Sequence, residues 1–233
     1  PYLRRSIPLK PWASKCAVIP LGVDPERLPW PDADALQQAE GSWPPGCLRV
    51  LAVGRLTYYK GFDVLIRAAG RTKGVAVQIV GHGDLRPQLQ RTIRQKGLET
   101  RVSLRGGLSD GMLQALFATC DVFCLPSLER TEAFGVVLLE AMRYGKPIIA
   151  SHIPGSGPGW VVQEGDCGWL VPPGDVDALR IKMENLVAQP GLCRELGRKG
   201  RENFKKKFHI QSVAQGVTKI YEDILESGRV LAS

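Results

Sequence analysis

The sequence predicts an α/β fold in which a doubly wound parallel sheet carries helices on both faces. Short apolar runs without polar alternation recur along the chain, as in Leu48–Val53 and Val75–Val80. Such runs are typical of parallel strands that are buried on both faces. Segments with apolar residues at helical spacing separate these runs. This alternation predicts a Rossmann-like sheet, with ligands bound beyond the carboxyl ends of its strands.

The predicted elements follow one another in a regular order. Strands are expected at 48–53, 75–80, 102–105, 122–125, 147–150 and 168–171. Helices are expected at 62–71, 86–96, 111–118, from Gly135 to near Tyr144, at 176–188 after an N-cap at Asp175, and at 192–208 and 211–226. Residues 25–45 are rich in proline and polar side chains without a strong period, which predicts a connector. The chain therefore divides into 1–46, a sheet domain at 47–210, and a terminal helix within 211–233.

Composition narrows the function classes. The chain has 233 residues, of which 44% are hydrophobic, but no apolar run reaches the ~18 residues of a membrane span. Because no apolar core follows Pro1-Tyr-Leu-Arg-Arg, we expect no secretory signal. The six cysteines lack zinc-site spacing, so we expect reduced thiols in a cytoplasmic protein and no metal site. A net charge of +8 indicates a basic surface, phosphate-bearing ligands or an anionic membrane face. Aromatic residues make up 7% and do not interleave with the basic runs, which argues against nucleic acid as a partner.

The stretch 127–140 is the strongest candidate site. Glu132 and Glu140 bracket Gly135, and the pattern places Glu132 in a loop and Glu140 on the body of the helix that Gly135 opens. Free N–H groups at a helix start bind anions, and a glycine there permits close backbone approach. A loop acid, an anion-binding helix start and a helix acid together suit a nucleoside diphosphate sugar. The alternative is that both acids merely cap and solvate a surface helix.

Residues 132–147, which read Glu-Ala-Phe-Gly-Val-Val-Leu-Leu-Glu-Ala-Met-Arg-Tyr-Gly-Lys-Pro, resemble the Glu-x7-Glu signature of retaining GT-B glycosyltransferases, family four (group 1). Residues 18–24 resemble the segment that joins that family's two domains, with Leu21 where Asn is usual. The likeness covers roughly residues 16–225. It implies that the chain is the C-terminal, donor-binding half of such an enzyme. Residues 1–46 would then be a remnant of the N-terminal domain plus the connector, and 211–233 a helix that crosses back to that missing domain.

The resemblance also implies roles for individual residues. Glu132 would be catalytic, lying beside the donor sugar, and Glu140 would accept hydrogen bonds from the ribose hydroxyls. Arg55 and Lys60, in a Gly-Arg-…-Lys-Gly motif, would neutralise the departing diphosphate in place of a metal ion. The remaining donor-binding residues implied in this way are Gly54, Gly81, Gly83, Arg101, Val102, Phe134, Gly135 and Val136.

One loop departs from the family. Much of the family has Gly-Gly-x-Pro-Glu after the fifth strand, whereas this chain has Gly155-Ser-Gly157 followed by Trp160. Similar loops look like a bacterial surface-polysaccharide subgroup. Trp160 is expected either to be buried in a structural turn or to stack on a sugar.

The expected function is transfer of a sugar from UDP or GDP to a glycan or lipid-linked acceptor in polysaccharide biosynthesis, with no cofactor. The acceptor would be bound through the missing N-terminal domain, so the chain alone should bind donor without transferring sugar. Peripheral contact with the inner face of the cell membrane is a further expectation, based on the basic residues between 199 and 207. The competing interpretation is a non-catalytic nucleotide-binding or interaction module of the same fold.

Overall fold

The computed structural model describes residues 7–28 and 30–230, with side chains through residue 226. It contains one six-stranded, wholly parallel sheet in the order β3-β2-β1-β4-β5-β6. The strands are β1 (Leu48–Val53), β2 (Val75–Val80), β3 (Val102–Gly106), β4 (Val122–Leu125), β5 (Ile148–Ser151) and β6 (Gly168–Val171). The predicted doubly wound α/β fold is confirmed.

The strands are apolar throughout because both faces of the sheet are covered. In β4, Val122 and Cys124 pack into one apolar layer, whereas Phe123 and Leu125 pack into the other. Successive side chains of a strand point to opposite faces, so a strand with two buried faces has no polar alternation. This is the pattern from which the sheet was predicted.

Helices cover each face. They are α1 (Ala33–Gly41), α2 (Phe62–Arg71), α3 (Arg86–Gln95), α4 (Asp110–Thr119), α5 (Val136–Arg143), α6 (Gly157–Gly165), α7 (Val176–Ala188), α8 (Pro190–Asn203) and α9 (Ile210–Val230). Helices α2, α3 and α7 cover one face, and α1, α4, α5 and α6 cover the other together with a π-helical segment at Phe204–Phe208. Helix α8 packs at the β6 side, against α5, α6 and α7. Among the described helices, none is long and apolar enough to cross a bilayer.

Two helices were missed in the sequence. Helix α1 lies in the segment that we predicted to be a connector, where Asp32 caps it by accepting a hydrogen bond from the Ala35 N–H at 2.7 Å. Its neighbour Trp43 is 5% exposed and donates from Nε1 to Thr119 Oγ1 at 3.1 Å. Residues 33–43 therefore pack with the sheet domain. The second helix, α6, begins inside the glycine-rich loop after β5, where Gly157 and Pro158 mask the start of a helical pattern.

A segment near the start of the described chain contacts a segment near its end, beside the sheet. Val23 accepts a backbone hydrogen bond from the Ile210 N–H at 3.0 Å and donates its own N–H to Phe208 O at 2.9 Å. Beyond this contact, α9 exposes apolar side chains, with Tyr221 66% and Leu225 63% accessible. The terminal helix is longer than predicted, and part of its apolar face is open. Residues 1–6, Pro29 and 231–233, which the predicted domain boundaries also cover, lie outside the described residues.

Candidate functional site

The candidate site lies where the direction of strand addition reverses. β1 and β4 are neighbours, and the sheet grows outward from them in opposite directions. The loops that follow two such strands diverge, which leaves a crevice beyond their carboxyl ends. A cleft of about 510 Å³ occupies this position. It is lined by Leu21, Val53, Gly54, Lys60, Leu113, Thr131, Glu132, Ala133, Phe134, Gly135, Val136, Val137 and Glu140.

Seven of the predicted site residues therefore converge on this cleft from distant parts of the chain, since Lys60 and Glu132 alone are 72 residues apart in the sequence. They are Gly54, Lys60, Glu132, Phe134, Gly135, Val136 and Glu140. The loop after β1 supplies the first two, and the loop after β4 with the start of α5 supplies the rest. The alternative in which the two acids only solvate a surface helix does not fit, because Glu132 is 8% exposed.

Lys60 and Glu132 form a buried ion pair. Lys60 Nζ lies 2.5 Å from Glu132 Oε2, and the lysine is 9% exposed. Ser127 Oγ donates to the same carboxylate oxygen at 3.1 Å. The lysine side chain passes over Gly54, where an added Cβ would lie only 3.0 Å from Lys60 Cε. The Lys60–Glu132 pair is therefore largely shielded from solvent, and both charged groups are fixed in position at the wall of the cleft.

The loop that carries Glu132 is itself fixed from the β5 side. Ser156 Oγ donates to the Glu132 backbone carbonyl, and the Gly157 N–H donates to Ala133 O at 2.8 Å. Trp160 lies with its ring centroid 6.4 Å from that of Phe134 and 5.9 Å from that of Phe208. The glycine-rich loop therefore supports the loop that carries Glu132, and Trp160 is partly buried against the apolar layer next to Phe134.

Glu140 presents an unpaired carboxyl group to the cleft. It is half-buried on α5, and no hydrogen bond or ion pair of its carboxylate is formed within the part of the chain that the structure describes. Burial raises the pKa of Glu140 to about 7, an effect that Arg143 opposes and Asp110 reinforces. An acceptor of this kind gains most from hydroxyl donors that a ligand brings.

The start of α5 adds an anion-binding element. Gly135 precedes the helix with φ +78°, a left-handed conformation that costs other residues energy. The N–H groups of Val136 and Val137 open the helix and have no intrahelical acceptors. Together with the helix dipole, they favour a negatively charged ligand in the cleft.

The other predicted cation of the motif, Arg55, is exposed beside the cleft. Its Nη2 lies 3.4 Å from Tyr59 Oη, and its side chain is outside the cleft lining. It follows Gly54 at the same edge of the sheet. The predicted contact of Arg55 with a donor phosphate stays a prediction.

Gly81 and Gly83 allow two loops to pack closely, and their predicted part in donor binding stays a prediction. A Cβ on Gly81 would lie 2.0 Å from Gly54 O, and one on Gly83 would lie 2.5 Å from Leu56 O. Neither residue lines the cleft. They allow the loop after β2 to press against the loop after β1, so they support the ligand-facing loop from behind.

Arg101 and Val102 lie at the amino end of β3, whereas the cleft lies beyond the carboxyl ends of the strands. β3 begins at Val102, which is 3% exposed in the core. Arg101 Nη1 donates to the carbonyl oxygens of Ala69 and Thr72 at 2.8 and 2.7 Å. The amino ends of parallel strands face away from the crevice, so we correct the assignment of these two residues to donor binding. Arg101 instead ties together the backbone where α2 ends and β2 begins.

Sequence reasoning missed Ser127 and Ser156, which hold Glu132 in place. Their positions after β4 and β5 were the available signal, because polar residues following parallel strands meet at one edge. Within the described residues, no group of three His, Cys, Asp or Glu side chains is arranged to hold a metal ion.

Comparison with known proteins identifies the family. Residues 36–203 match the family model described as glycosyl transferases group 1. The chain belongs to this family. It is 32% identical over 97% of its length to O-antigen chain mannosyltransferase C of Escherichia coli, and 33% identical over 89% to D-rhamnosyltransferase WbpZ of Pseudomonas aeruginosa. It spans 59% and 53% of those two proteins.

Solved structures share the fold. The sucrose-phosphate synthase of Thermosynechococcus elongatus superposes with a TM-score of 0.77 at 30% identity, over 94% of this chain and 56% of that one. Alr3699/HepE of Anabaena, solved in complex with UDP, superposes with a TM-score of 0.76 at 25% identity, over 89% and 57%. Membership of the group 1 glycosyltransferases, which was predicted from residues 132–147, is confirmed.

Proposed function

We propose that this chain is the nucleotide-sugar-binding domain of a retaining glycosyltransferase of GT-B architecture. The observation that carries the proposal is the cleft at the β1–β4 switch point. There a free acceptor, Glu140, a buried Lys60–Glu132 pair and the start of α5 face one space of about 510 Å³. A space of this size is typical of sites for small ligands.

The donor would lie with its ribose at Glu140 and its diphosphate at the helix start. Ribose hydroxyls would donate to the Glu140 carboxylate. The N–H groups of Val136 and Val137 and the cations Arg55 and Lys60 would stabilise the negative charge that develops on the departing diphosphate. Glu132 would then face the sugar while Lys60 holds it in place. Positive charge that develops on the sugar carbon would be stabilised by the fixed Glu132 carboxylate.

The relatives support a nucleotide sugar as the proposed donor and polysaccharide synthesis as the proposed process. One relative is named as an O-antigen mannosyltransferase and another as a rhamnosyltransferase, and a solved neighbour binds UDP. We propose a UDP- or GDP-linked hexose or deoxyhexose as donor, with a bacterial surface polysaccharide as product. The reaction would need no metal ion, because fixed cations and the helix start supply the positive charge.

Transfer would need a second domain opposite the cleft. An acceptor hydroxyl must come within about 3–3.5 Å of the sugar carbon while water is excluded. The described domain supplies one wall of such a cleft. The exposed apolar face of α9, with Tyr221, Ile224 and Leu225, supports the proposal that a further domain packs on this side. A glycan or lipid-linked acceptor would bind through that domain, and peripheral membrane contact stays a prediction.

Calorimetry with UDP and GDP, each with and without excess chelator, tests donor binding. One of the two nucleotides should bind in the presence of chelator, and Glu140→Ala should weaken it about 10- to 100-fold because a charged acceptor is lost. Arg55→Ala should weaken it as well. The matched controls are Glu99→Ala and Arg94→Ala, which remove exposed charges on the α3 side, away from the cleft lining. Binding abolished by chelator, or equal losses in the controls, would contradict the proposed site.

A transfer assay separates an enzyme from a non-catalytic binding module. The chain should turn over no labelled nucleotide sugar by itself, whereas a longer protein that includes the facing domain should transfer the sugar to cell glycan extracts. Transfer that survives Glu132→Gln in the longer protein would contradict the role assigned to Glu132.

A further inference from the structure

A second pocket lies at the carboxyl end of α5, where Arg143 ends the helix. It measures about 520 Å³ and is lined by Pro25, Glu26, Trp30, Arg143, Arg201, Phe204, Lys205 and His209. The two pockets share no lining residue. On α5, Glu140 lines the donor cleft and Arg143 lines the second pocket three residues later, roughly 4.5 Å further along the axis.

Cations converge on one aromatic ring in this pocket. Trp30 is 57% exposed, and the guanidinium carbon of Arg143 lies 4.8 Å from its ring centroid. The guanidinium carbon of Arg201 lies 5.9 Å from the same centroid. Lys205 lines the pocket beside them. The arrangement provides a flat ring flanked by groups that bind phosphate well.

These cations are not neutralised by the domain itself. In contrast to Lys199 and Lys207, which form ion pairs with Asp166 and Glu164, none of Arg143, Arg201 and Lys205 has an ion-pair partner among the described side chains. Arg143 is 5% exposed, and among the described residues its guanidinium donates one hydrogen bond, from Nη1 to Gln114 Oε1 at 3.3 Å. Its guanidinium carries five N–H donors, so donor capacity remains.

The opposing charges nearby are small. Glu26 is the one acid among the residues that line the pocket. Arg143 ends α5 and Arg201 lies in the last turn of α8, so each also meets the negative end of a helix dipole. Such a dipole amounts to about half a charge, however, and it is screened at the surface. The pocket therefore keeps a positive balance that an anion would stabilise.

We propose that this pocket binds a small organic phosphate. Arg143, Arg201 and Lys205 hold the phosphate group, and the ring of the ligand's organic part stacks on Trp30. A volume of about 520 Å³ accommodates a sugar phosphate or a mononucleotide. The site is separate from the proposed donor site. A phosphorylated lipid headgroup would present the same chemistry as a free organic phosphate, so the test compares the two sources.

The indole N–H resonance of Trp30 in ¹⁵N-labelled full chain is a specific reporter, assigned by its loss in Trp30→Phe. Glucose 1-phosphate should shift this resonance saturably and should bind several-fold more tightly than inorganic phosphate. The buried indole of Trp43 serves as the internal control. Arg201→Ala/Lys205→Ala should weaken binding by about 10-fold or more, because two charged hydrogen bonds are lost. Both side chains are exposed, so we expect the variant to fold, which far-UV circular dichroism checks.

Two matched variants separate this site from general charge effects and from the donor cleft. Lys206→Ala removes an exposed neighbouring cation outside the pocket, and Arg55→Ala alters the donor side; both should leave the Trp30 titration unchanged. No saturable Trp30 shift up to about 10 mM ligand, or an equal response to sodium chloride at matched ionic strength, would overturn the proposal. Equal binding by Lys206→Ala and Arg201→Ala/Lys205→Ala, or equal affinity for phosphate and glucose 1-phosphate, would also overturn it.

A vesicle arm identifies the source of the phosphate. Vesicles containing phosphatidic acid are compared with vesicles of phosphatidylcholine alone. Sedimentation with the anionic vesicles that depends on Arg201 and Lys205 would support a lipid headgroup as ligand. Binding of glucose 1-phosphate without such sedimentation would support a free organic phosphate.

Discussion

Glu140 is predicted to destabilise the folded domain at and above neutral pH. Burial raises the pKa of its carboxyl group from 4.5 to about 7. Between these values the folded state retains a proton that the unfolded chain has released, so stability falls as pH rises through this window. Each pKa unit corresponds to about 1.4 kcal/mol, which sets an upper limit of about 3 kcal/mol for the cost at pH 8. Because Glu140 is only half-buried, we expect about 1–3 kcal/mol.

Glu140→Gln removes the ionisation and keeps the shape. At pH 8 the variant should be more stable than the parent chain by that amount, which raises Tm by about 2–10 °C for a domain of this size. At pH 5 the gain should shrink below about 1 kcal/mol, because the carboxyl group is then protonated in the folded state. Thermal and urea unfolding at pH 5, 6, 7 and 8 measure the difference, with the exposed Glu99→Gln as control.

A stability gain that does not vary with pH, or none at pH 8, would refute the argument from burial. The same variant should lose nucleotide affinity, because an amide accepts hydroxyl hydrogen bonds more weakly than a carboxylate. A variant that is more stable at pH 8 and binds nucleotide as well as the parent would contradict the ribose role while leaving the burial argument intact.

Three further predictions follow from contacts at the cleft. Nucleotide affinity should rise up to about 10-fold between pH 6 and 8 as Glu140 ionises, and calorimetry should show this part of the rise disappear in Glu140→Gln. Lys60→Met should destabilise the domain by about 3–5 kcal/mol because it leaves the Glu132 charge buried and unpaired. In urea unfolding, the double variant Lys60→Met/Glu132→Gln should lose less stability than the sum of the losses in the two single variants. Strict additivity of these losses would contradict a stabilising interaction between the two side chains. Gly81→Ala should lower the free energy of unfolding by about 1–3 kcal/mol, because its Cβ would lie 2.0 Å from a backbone oxygen. Gly111→Ala in α4, where the Cβ meets open space, should leave the free energy of unfolding unchanged or raise it by up to about 1 kcal/mol. Equal unfolding midpoints for the two variants would contradict the close loop contact.

Much of the fold was determined by local pattern. The buried parallel strands were predictable because burial on both faces requires continuous apolar runs, and Val75–Val80 and Val122–Leu125 were predicted with the bounds observed. The convergence of Glu132, Gly135 and Glu140 with Gly54 was predictable too. Loops that follow parallel strands meet at one edge of the sheet, whatever their separation along the chain.

Position along a strand also decides which residues reach that edge. Arg101 precedes β3 and Val102 begins it, so position along the strand places both at the amino ends, away from the crevice. Helix α1 could not be predicted with the same ease. Its sequence has only a weak apolar stripe, and its stability depends on contacts of Ala39 and Trp43 with the layer around α4.

The sequence by itself determined the sheet, its order of elements and the edge at which the candidate site lies. Only the tertiary structure decided which charges meet: it pairs Lys60 with Glu132 across 72 residues and leaves Glu140 without a partner among the described residues. It also brings Trp30, Arg143 and Arg201 together in one pocket. Local pattern reflects which side chains are buried, whereas a charge's partner depends on long-range packing that brings distant segments within a few ångströms of each other.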